Sequence, residues 1–388
     1  MRILHTSDWH IGKRIGRFDR MPEYVEAVAE VERIADARQV DLVLVSGDVF
    51  DRPVPPMEAL GLALRTLVRM ADSRPVVVVA GNHDSPDLFE TLAPLLRREN
   101  VHIVGRIKAP DAGGLLGPEE LGVDAVVGCM PFLREARVVD FLAETGSWYG
   151  QYADRIRAIC EAYSEAMVER AGISAVPLLV AHFMVTGVKL GGHGQPRGER
   201  DLHIGQAYSA TEHAIPAGPQ YVAMGHIHAP QPVPGSPVPA RYAGSLLPLD
   251  FGEAGERKSV VIVEAEPGQL ARTEEIPIEV GRPLMRISGT WEELTAREDI
   301  RDAYLDLSVK TAGPEPGLAD IAHAEFPFVV KVRADYPRPE VERRRSREGR
   351  ELVDLYADYA LATHGESADE ESLAELRDIF EEVTGASS

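Results

Sequence analysis

The chain has 388 residues and a net charge of −21, and 44% of its residues are hydrophobic. That length allows two or three domains with a large core, and no apolar run approaches the roughly 20 residues that span a membrane. The acidic balance argues against a protein that coats nucleic acid, although bound divalent cations and a few loop arginines can reverse the charge locally.

The cysteine content and the first residues indicate a compartment. Cys129 and Cys160 are the only cysteines, so neither a disulfide framework nor a thiolate metal site is expected. The sequence passes from Met1-Arg2 directly into Ile3-Leu4 without the layout of a signal peptide. These features predict a cytoplasmic protein.

The first 130 residues alternate between apolar runs and segments with helical spacing. Strands are predicted around residues 1–10, 41–46, 76–80, 101–104 and 125–129, and helices at 22–38, 55–71 and 89–98. This β-α-β-α-β order predicts an α/β domain with a largely parallel sheet, in which ligands bind beyond the carboxyl ends of the strands.

The later residues predict a second sheet and two further segments. Helices are predicted at 134–144 and 151–171, and strands from 178, at 241–247 and at 259–264. We therefore assign residues 1–270 to the main domain, 271–336 to a small α+β domain, and 337–388 to a C-terminal helical segment that begins basic and ends acidic.

Five predicted strands end in residues that can bind metal. These residues are Asp8, His10, Asp48, Asn82, His182, His226 and His228. Taken singly, Asp48 could cap a helix, and His182 could be a hydrogen-bonded histidine at a strand end. Asp8 and His10 are two apart and project to one side of an extended segment, and His226 and His228 repeat that spacing. Together the five clusters indicate one composite site.

Asp, His and Asn without Cys suit Mn²⁺, Fe or Zn²⁺. The ligands exceed what one ion needs, so we predict two ions that share the carboxylate of Asp48. Two metals roughly 3.5–4 Å apart suit in-line displacement at phosphorus. His83 is then free to act as an acid toward the leaving oxygen or to stabilise the charged phosphate, and Asp84 could orient its imidazole.

The order of these motifs resembles the calcineurin-like metallophosphoesterases. They are Asp-x-His at 8–10, Gly-Asp-x-x-Asp at 47–51, Gly-Asn-His-Asp at 81–84, a lone His182 and Gly-His-x-His at 225–228. The amino-acid sequences of residues 3–12, 47–51, 200–205 and 241–245 are similar to those of the double-strand-break repair nucleases of that family. The resemblance covers about the first 265 residues well.

The resemblance implies a four-layer α/β/β/α sandwich, a DNA-capping α+β domain and two Mn²⁺ sites. One ion would be held by Asp8, His10, Asp48 and His228, the other by Asp48, Asn82, His182 and His226, with His83 as the catalytic histidine. It also implies a 3′-to-5′ exonuclease on duplex ends and an endonuclease on single strands or hairpins. Such an enzyme serves DNA replication, recombination and repair, as a homodimer with a coiled-coil ATPase.

Candidate contacts follow from position in the chain. For DNA we consider Lys13, Arg14, Arg17, Arg52, Arg197 and Arg200, each of which could also be an ordinary surface charge. For the ATPase we consider the apolar face of Leu352, Leu355, Tyr356 and Tyr359, which could equally pack within the chain.

Two other functions remain open. The first is a phosphoesterase of the same fold that acts on a small phosphodiester or a phosphoprotein. The capping domain and helical tail argue against it, since a small substrate needs neither. The second is a scaffold that recruits the ATPase while its own site is idle. The complete ligand set argues against that.

Overall fold

The structure is a computed structural model that describes residues 1–133, 152–189, 209–337, 355–357, 369 and 372–377. The chain falls into two units, Met1–Lys310 with Pro316–Ala334, and Thr311–Glu315 with Asp335–Ser388. In the second unit, residues 355–357 and 372–377 are helical. The helix predicted at 134–144 lies outside the described residues.

Strands and helices alternate in the first unit much as predicted. The strands are β1 (Arg2–Thr6), β2 (Leu42–Val45), β3 (Val76–Val79), β4 (Val101–Val104), β5 (Leu115–Leu116), β6 (Ala125–Met130), β7 (Val176–His182), β8 (Met184–Val185), β9 (Ser209–Ala210), β10 (Tyr221–Gly225), β11 (Gln231–Pro232), β12 (Ala240–Tyr242), β13 (Lys258–Glu264), β14 (Arg272–Ile278), β15 (Leu284–Gly289), β16 (Tyr304–Lys310) and β17 (Val329–Asp335). The α-helices are α1 (Met21–Ala37), α2 (Met57–Ala71), α3 (Pro86–Leu96), α4 (Pro118–Leu121), α5 (Tyr152–Ala171), α6 (Trp291–Thr295) and α7 (Leu318–Glu325). In the described ranges, no helix is long and apolar enough to cross a bilayer.

Two mixed sheets form the body of the unit. Within the described residues, one sheet has the order β14-β13-β1-β2-β3-β4 and the other β11-β12-β10-β7-β6-β5. Strands β1 to β4 are parallel, as are β6, β7, β10 and β12. The antiparallel pairs lie toward the edges of the sheets. Strands β13 and β14 extend the first sheet beyond β1, and β11 and β5 are the outermost strands of the second. The predicted two-sheet, largely parallel architecture is therefore confirmed.

The strands carry apolar side chains on both faces, and each face has its own core. On β2, Val43 and Val45 pack with helices α1 to α3, whereas Leu42 and Leu44 face the second sheet. The other face of the second sheet packs on α5. Alternate residues of a strand point to opposite faces, so a sheet buried on both sides needs such continuous apolar runs. The layers are thus helix, sheet, sheet, helix.

A smaller sheet, with the order β15-β16-β17 in the described part of the chain, has a core of its own that includes Leu305, Leu307 and Phe326. The preceding strand β14 fell inside the range predicted for the small domain. It pairs instead with β13 along its whole length, so it extends the first large sheet. The small sheet therefore begins at Leu284, after β14.

A buried polar contact joins α1 to the small sheet. The Glu23 carboxylate accepts hydrogen bonds from the Arg20 guanidinium at 2.9 Å, from the Tyr304 hydroxyl at 2.7 Å and from the Arg282 amide at 2.9 Å. Arg20 is fully buried and also donates to the Pro248 carbonyl at 2.6 Å. One carboxylate thus satisfies donors from three segments.

Candidate metal centre

The predicted ligands lie at one end of the two sheets. Asp8, Asp48 and Asn82 follow the parallel strands β1, β2 and β3, while His182 ends β7 and His226 follows β10. The two groups meet across the sheet interface, because His182 Nδ1 donates to the carbonyl of Ser46 at 2.7 Å. Parallel strands thus bring residues distant in sequence to one edge.

The backbone at these ligands differs from the prediction. The φ angles of Asp8, His10, Asp48 and His226 are +49°, +46°, +50° and +96°. Asp8 and His10 therefore lie in a left-handed loop rather than on an extended segment, and the argument from strand spacing was wrong. Each such residue costs on the order of 1–3 kcal/mol and persists only where its surroundings fix it. Here the amides of Asp8 and His10 donate to the carbonyls of Gly47 and Asp48, both at 3.0 Å.

Two glycines allow the strand ends to approach closely. A Cβ at Gly225 would lie 1.8 Å from the carbonyl oxygen of Ser46, and one at Gly81 would lie 2.1 Å from Oδ1 of Asp48. Neither position has room for a side chain. Glycine at these sites brings the loops close enough for their side chains to share a site.

The first group of ligands contains Asp8, His10 and His228, whose ligand atoms all lie within 4.8 Å of one another. His10 is 1% exposed, and both of its ring nitrogens lack a hydrogen-bond partner among the described residues. Burial lowers the pKa of His10 well below its usual value, so the ring is neutral and keeps a lone pair. A buried, unpaired imidazole among carboxylates fits a bound cation.

The second group converges on Asn82. Oδ1 of Asn82 lies 2.9 Å from Nε2 of His182 and 2.8 Å from Nδ1 of His226. Asp8, Asp48 and His182 also place ligand atoms within 4.8 Å of one another. Amide, imidazole and carboxylate donors without thiolate fit a hard or borderline divalent ion.

Asp48 lies between the two groups. Its Oδ2 is 3.6 Å from Nε2 of His10 and 3.4 Å from Nε2 of His182, and Oδ1 accepts the His83 amide at 2.7 Å. Burial by itself raises the pKa of Asp48, but the neighbouring histidines, His182 foremost, outweigh it and hold that pKa well below its usual range. An ionised carboxylate in this position can bridge two cations.

His83 is held by a different partner from the one predicted. Its Nδ1–H donates to the carbonyl oxygen of Asp51 at 2.9 Å, which leaves Nε2 for a substrate. The Asp84 carboxylate instead accepts the backbone amides of Gly81, Val49 and Phe50 at 2.9, 3.2 and 3.0 Å. Burial raises the pKa of Asp84 to about 7. These three contacts of Asp84 fix the backbone of the two loops.

Some polar residues around the ligands carried no sequence signal. The Glu253 carboxylate accepts a hydrogen bond from Nδ1 of His228 at 2.9 Å and another from Nζ of Lys258 at 2.7 Å. No motif or spacing marks this pair, because Glu253 is 25 residues from His228 in the chain. His5, which precedes the first ligand pair, is buried, and its ring nitrogens lie 2.8 Å from the hydroxyls of Tyr221 and Ser46.

Of the six predicted DNA contacts, four lie within the described residues and two do not. Lys13 pairs with Asp51 at 3.0 Å, next to the His83 contact. Arg14 donates to the Arg17 carbonyl at 2.6 Å, and both of these side chains are exposed, as is Arg52. Arg197 and Arg200 lie outside the described residues. So do Leu352 and Tyr359 of the predicted ATPase face, whereas Leu355 is half-buried and Tyr356 is exposed.

Comparisons with known proteins agree with this geometry. Residues 1–230 match the family model described as calcineurin-like phosphoesterase. The chain is 35% identical to the SbcD subunit of the nuclease SbcCD from Bacillus subtilis, over 80% of each chain. It is 32% identical to the SbcD subunit from Rhodobacter capsulatus, over 88% of this chain and 82% of the relative. It is 30% identical to the SbcD subunit from Escherichia coli K12, over 91% of this chain and 87% of the relative.

Proposed function

Because this chain belongs to the calcineurin-like phosphoesterases, and among them to the SbcD nuclease subunits, we propose that it is a Mn²⁺-dependent DNA nuclease. It acts as a 3′-to-5′ exonuclease on duplex ends and as an endonuclease on single strands or hairpins. Its partner is an SbcC-like coiled-coil ATPase, and its role is in DNA recombination and repair.

The observation that carries the proposal is the position of Asp48 between two ligand groups. Asp8, His10, Asp48 and His228 would hold one ion, and Asp48, Asn82, His182 and His226 the other. Bound there, two divalent cations would supply Lewis-acid activation of a water and neutralise charge on the phosphate. The donor set, with carboxylate, imidazole and amide and no thiolate, accepts Mn²⁺ as well as Fe or Zn²⁺, and membership of the family favours Mn²⁺ among them.

The protein's own contribution is orientation and proton control. The Asp51 carbonyl holds Nδ1–H of His83, so Nε2 is the nitrogen that meets the phosphate. As an acid, His83 would act from the imidazolium form, in which Nε2 also carries a proton that passes to the leaving oxygen. Asp84 joins the loop after β3 to the loop after β2 through its three amide contacts. This bracing keeps His83 and Asp48 at a fixed separation during the reaction.

Exposed cations close in sequence to the ligands support DNA binding. Arg14, Arg17 and Arg52 are exposed, and Lys13 lies beside the loop that holds His83. Each would contact the phosphate backbone without reading sequence. Arg197 and Arg200 belong to the same proposal on sequence grounds alone, and the small α+β domain would cap the DNA.

Two apolar faces support assembly. Met57 on α2 and Leu95 on α3 are 78% and 61% exposed, and Leu60, Leu64, Leu88 and Leu92 are only partly buried at helical spacing beside them. We assign this face to a homodimer contact. The C-terminal face of Leu352, Leu355, Tyr356 and Tyr359 is assigned to the ATPase. Cys129 and Cys160 are buried free thiols, which fits a cytoplasmic protein.

The test is cleavage of a duplex labelled at its 3′ ends by the purified chain with Mn²⁺, with and without the ATPase partner and ATP. Mn²⁺-dependent release of labelled mononucleotide, absent with a chelator, is the expected result. The same duplex labelled at its 5′ ends should lose its label late. Hydrolysis of a small phosphodiester without cleavage of any DNA would overturn the nuclease and favour the small-substrate phosphoesterase.

A further inference from the structure

A carboxylate lies behind the metal-ligand candidate His228. Oε1 of Glu253 is 2.9 Å from Nδ1 of His228. A carboxylate only accepts hydrogen bonds, so Nδ1 carries a proton, and in the neutral ring the lone pair is on Nε2. The His228 ring also packs edge-on against His10, with ring centroids 4.9 Å apart. The ring therefore has both a set tautomer and a set orientation.

Glu253 is itself fixed by a buried cation. Its Oε2 accepts Nζ of Lys258 at 2.7 Å and the amide of Leu249 at 3.0 Å. Lys258 also donates to the His228 carbonyl at 3.0 Å and to Oε2 of Glu256 at 2.9 Å. Glu253 and Lys258 are only 5% and 3% exposed. Both carboxylate oxygens of Glu253 are thus engaged, and it cannot rotate away from the histidine without losing these contacts.

Stability alone gives a poor account of this pair. Burying two charges is costly before their attraction is counted, and apolar replacements of a buried ion pair are often neutral or stabilising. The Glu253 carboxylate has instead the position of the outer partner in a carboxylate–histidine–metal arrangement, which sets ring orientation and raises the basicity of the ligand.

We propose that Glu253, held in place by Lys258, is a positioning residue that fixes the tautomer and orientation of His228 for a divalent cation. The inference rests on the metal site of the proposed function. It adds to that site a carboxylate that touches neither substrate nor cation and acts through His228.

The test compares Glu253→Gln with Glu256→Gln in the full chain. Both variants remove one carboxylate from Lys258, but only the first changes the partner of the His228 ring. In Glu253→Gln the amide oxygen is held by Lys258 and the Leu249 amide, which leaves an NH2 group, a donor, facing Nδ1 of His228. Glu256→Gln is therefore a matched control. In Mn²⁺ titrations by calorimetry, Glu253→Gln should bind one of the two ions about 10–100-fold more weakly, and Glu256→Gln should match the wild type. Equal affinities in all three proteins would overturn the proposal.

A second readout needs no metal. In nitrogen-15 spectra of histidine-labelled, metal-free protein, His228 should be in the Nδ1–H form in the wild type and a mixture of tautomers in Glu253→Gln. If Glu253→Gln does not fold, Glu253→Gln with Lys258→Met removes the buried charge that has lost one of its two carboxylates, and should restore the thermal midpoint but not the tautomer. An unchanged tautomer in a folded variant would leave Glu253 with a structural role only.

These outcomes separate the inference from the function on which it rests. A wild-type chain that binds Mn²⁺ and cleaves no DNA overturns the nuclease but leaves the role of Glu253 intact. A wild-type chain that binds no Mn²⁺ overturns both. A nuclease whose Mn²⁺ affinity and His228 tautomer do not depend on Glu253 overturns the inference alone.

Discussion

Replacement of His83 tests how the imidazole acts in catalysis. In the structure its Nδ1–H donates to the Asp51 carbonyl, and its ligand atom lies within 4.8 Å of those of His10 and Asp48. His83→Asn places an amide nitrogen near the position of Nδ1, so the contact with Asp51 is retained while Nε2 is removed. His83→Gln places an amide nitrogen near Nε2, a group that can hydrogen-bond a phosphate but cannot transfer a proton.

The size of the effect follows from the role. A positioned acid or base contributes typically 10²–10⁴-fold, which at 1.36 kcal/mol for each factor of ten is about 2.7–5.4 kcal/mol of activation free energy. If His83 is the acid, kcat should fall by that factor in both variants. If it only stabilises the charged phosphate, His83→Gln should retain most of the activity and His83→Asn should not.

The assay is release of label from 3′-labelled duplex under single-turnover conditions, together with Mn²⁺ titration of each variant. His213→Asn is the control, because His213 is exposed and is not among the ligand groups. Mn²⁺ affinity should be unchanged in both His83 variants. Retained cleavage would refute a catalytic His83, and a large loss of Mn²⁺ affinity would show that the imidazole is a ligand instead.

Three further predictions concern the bridge, the close approach of the strands and the contact between α1 and the small sheet. Asp48→Asn should weaken Mn²⁺ binding at both sites more than about 100-fold, because loss of a residue that only supports a ligand typically costs about 10–100-fold. Calorimetry that shows one site intact would contradict the bridging role. Gly225→Ala should lower the free energy of unfolding by more than about 3 kcal/mol in urea titrations, whereas Gly313→Ala, where a Cβ meets nothing within 4 Å, should change it little. Burial raises the pKa of Glu23, but Arg20 outweighs it and the net pKa is lowered, so Glu23 stabilises the fold above its unfolded pKa and loses that contribution as the pH falls through the folded pKa. Wild type should therefore be more stable than Glu23→Gln near pH 7, and the difference should shrink in acid; a difference independent of pH would contradict the linkage.

The two-sheet architecture could be predicted from the sequence because the central strands are buried on both faces. Runs such as Leu42–Val45 and Val76–Val79 are wholly apolar, which predicts a parallel sheet with both faces buried. Once the strands are parallel, the polar residues after each of them must meet at one edge. That reasoning brought together Asp8, Asp48 and Asn82 without any coordinate.

The parts that could not be predicted depend on contacts distant in sequence. Strand β14 is mostly exposed, so it lacks the apolar pattern that would assign it to the large sheet, and only its pairing with β13 places it there. The left-handed backbone at Asp8 and His10 is set by hydrogen bonds to the loop after β2. The support of His228 by Glu253 depends in the same way on how two loops meet.

The dispersion of the centre along the chain has a consequence for protein synthesis. The amide of His226 donates to the Asp8 carboxylate across 218 residues of sequence, and β1 pairs on one side with β13, whose last residues lie opposite Arg2. A ribosome releases the amino-terminal ligands first, when their partners are still unmade. A nascent or truncated chain that ends before His228 lacks part of the ligand set. Hydrolytic capacity should therefore arise late, in one step, when the second sheet docks on the first, so that incomplete chains present no active nuclease to the chromosome.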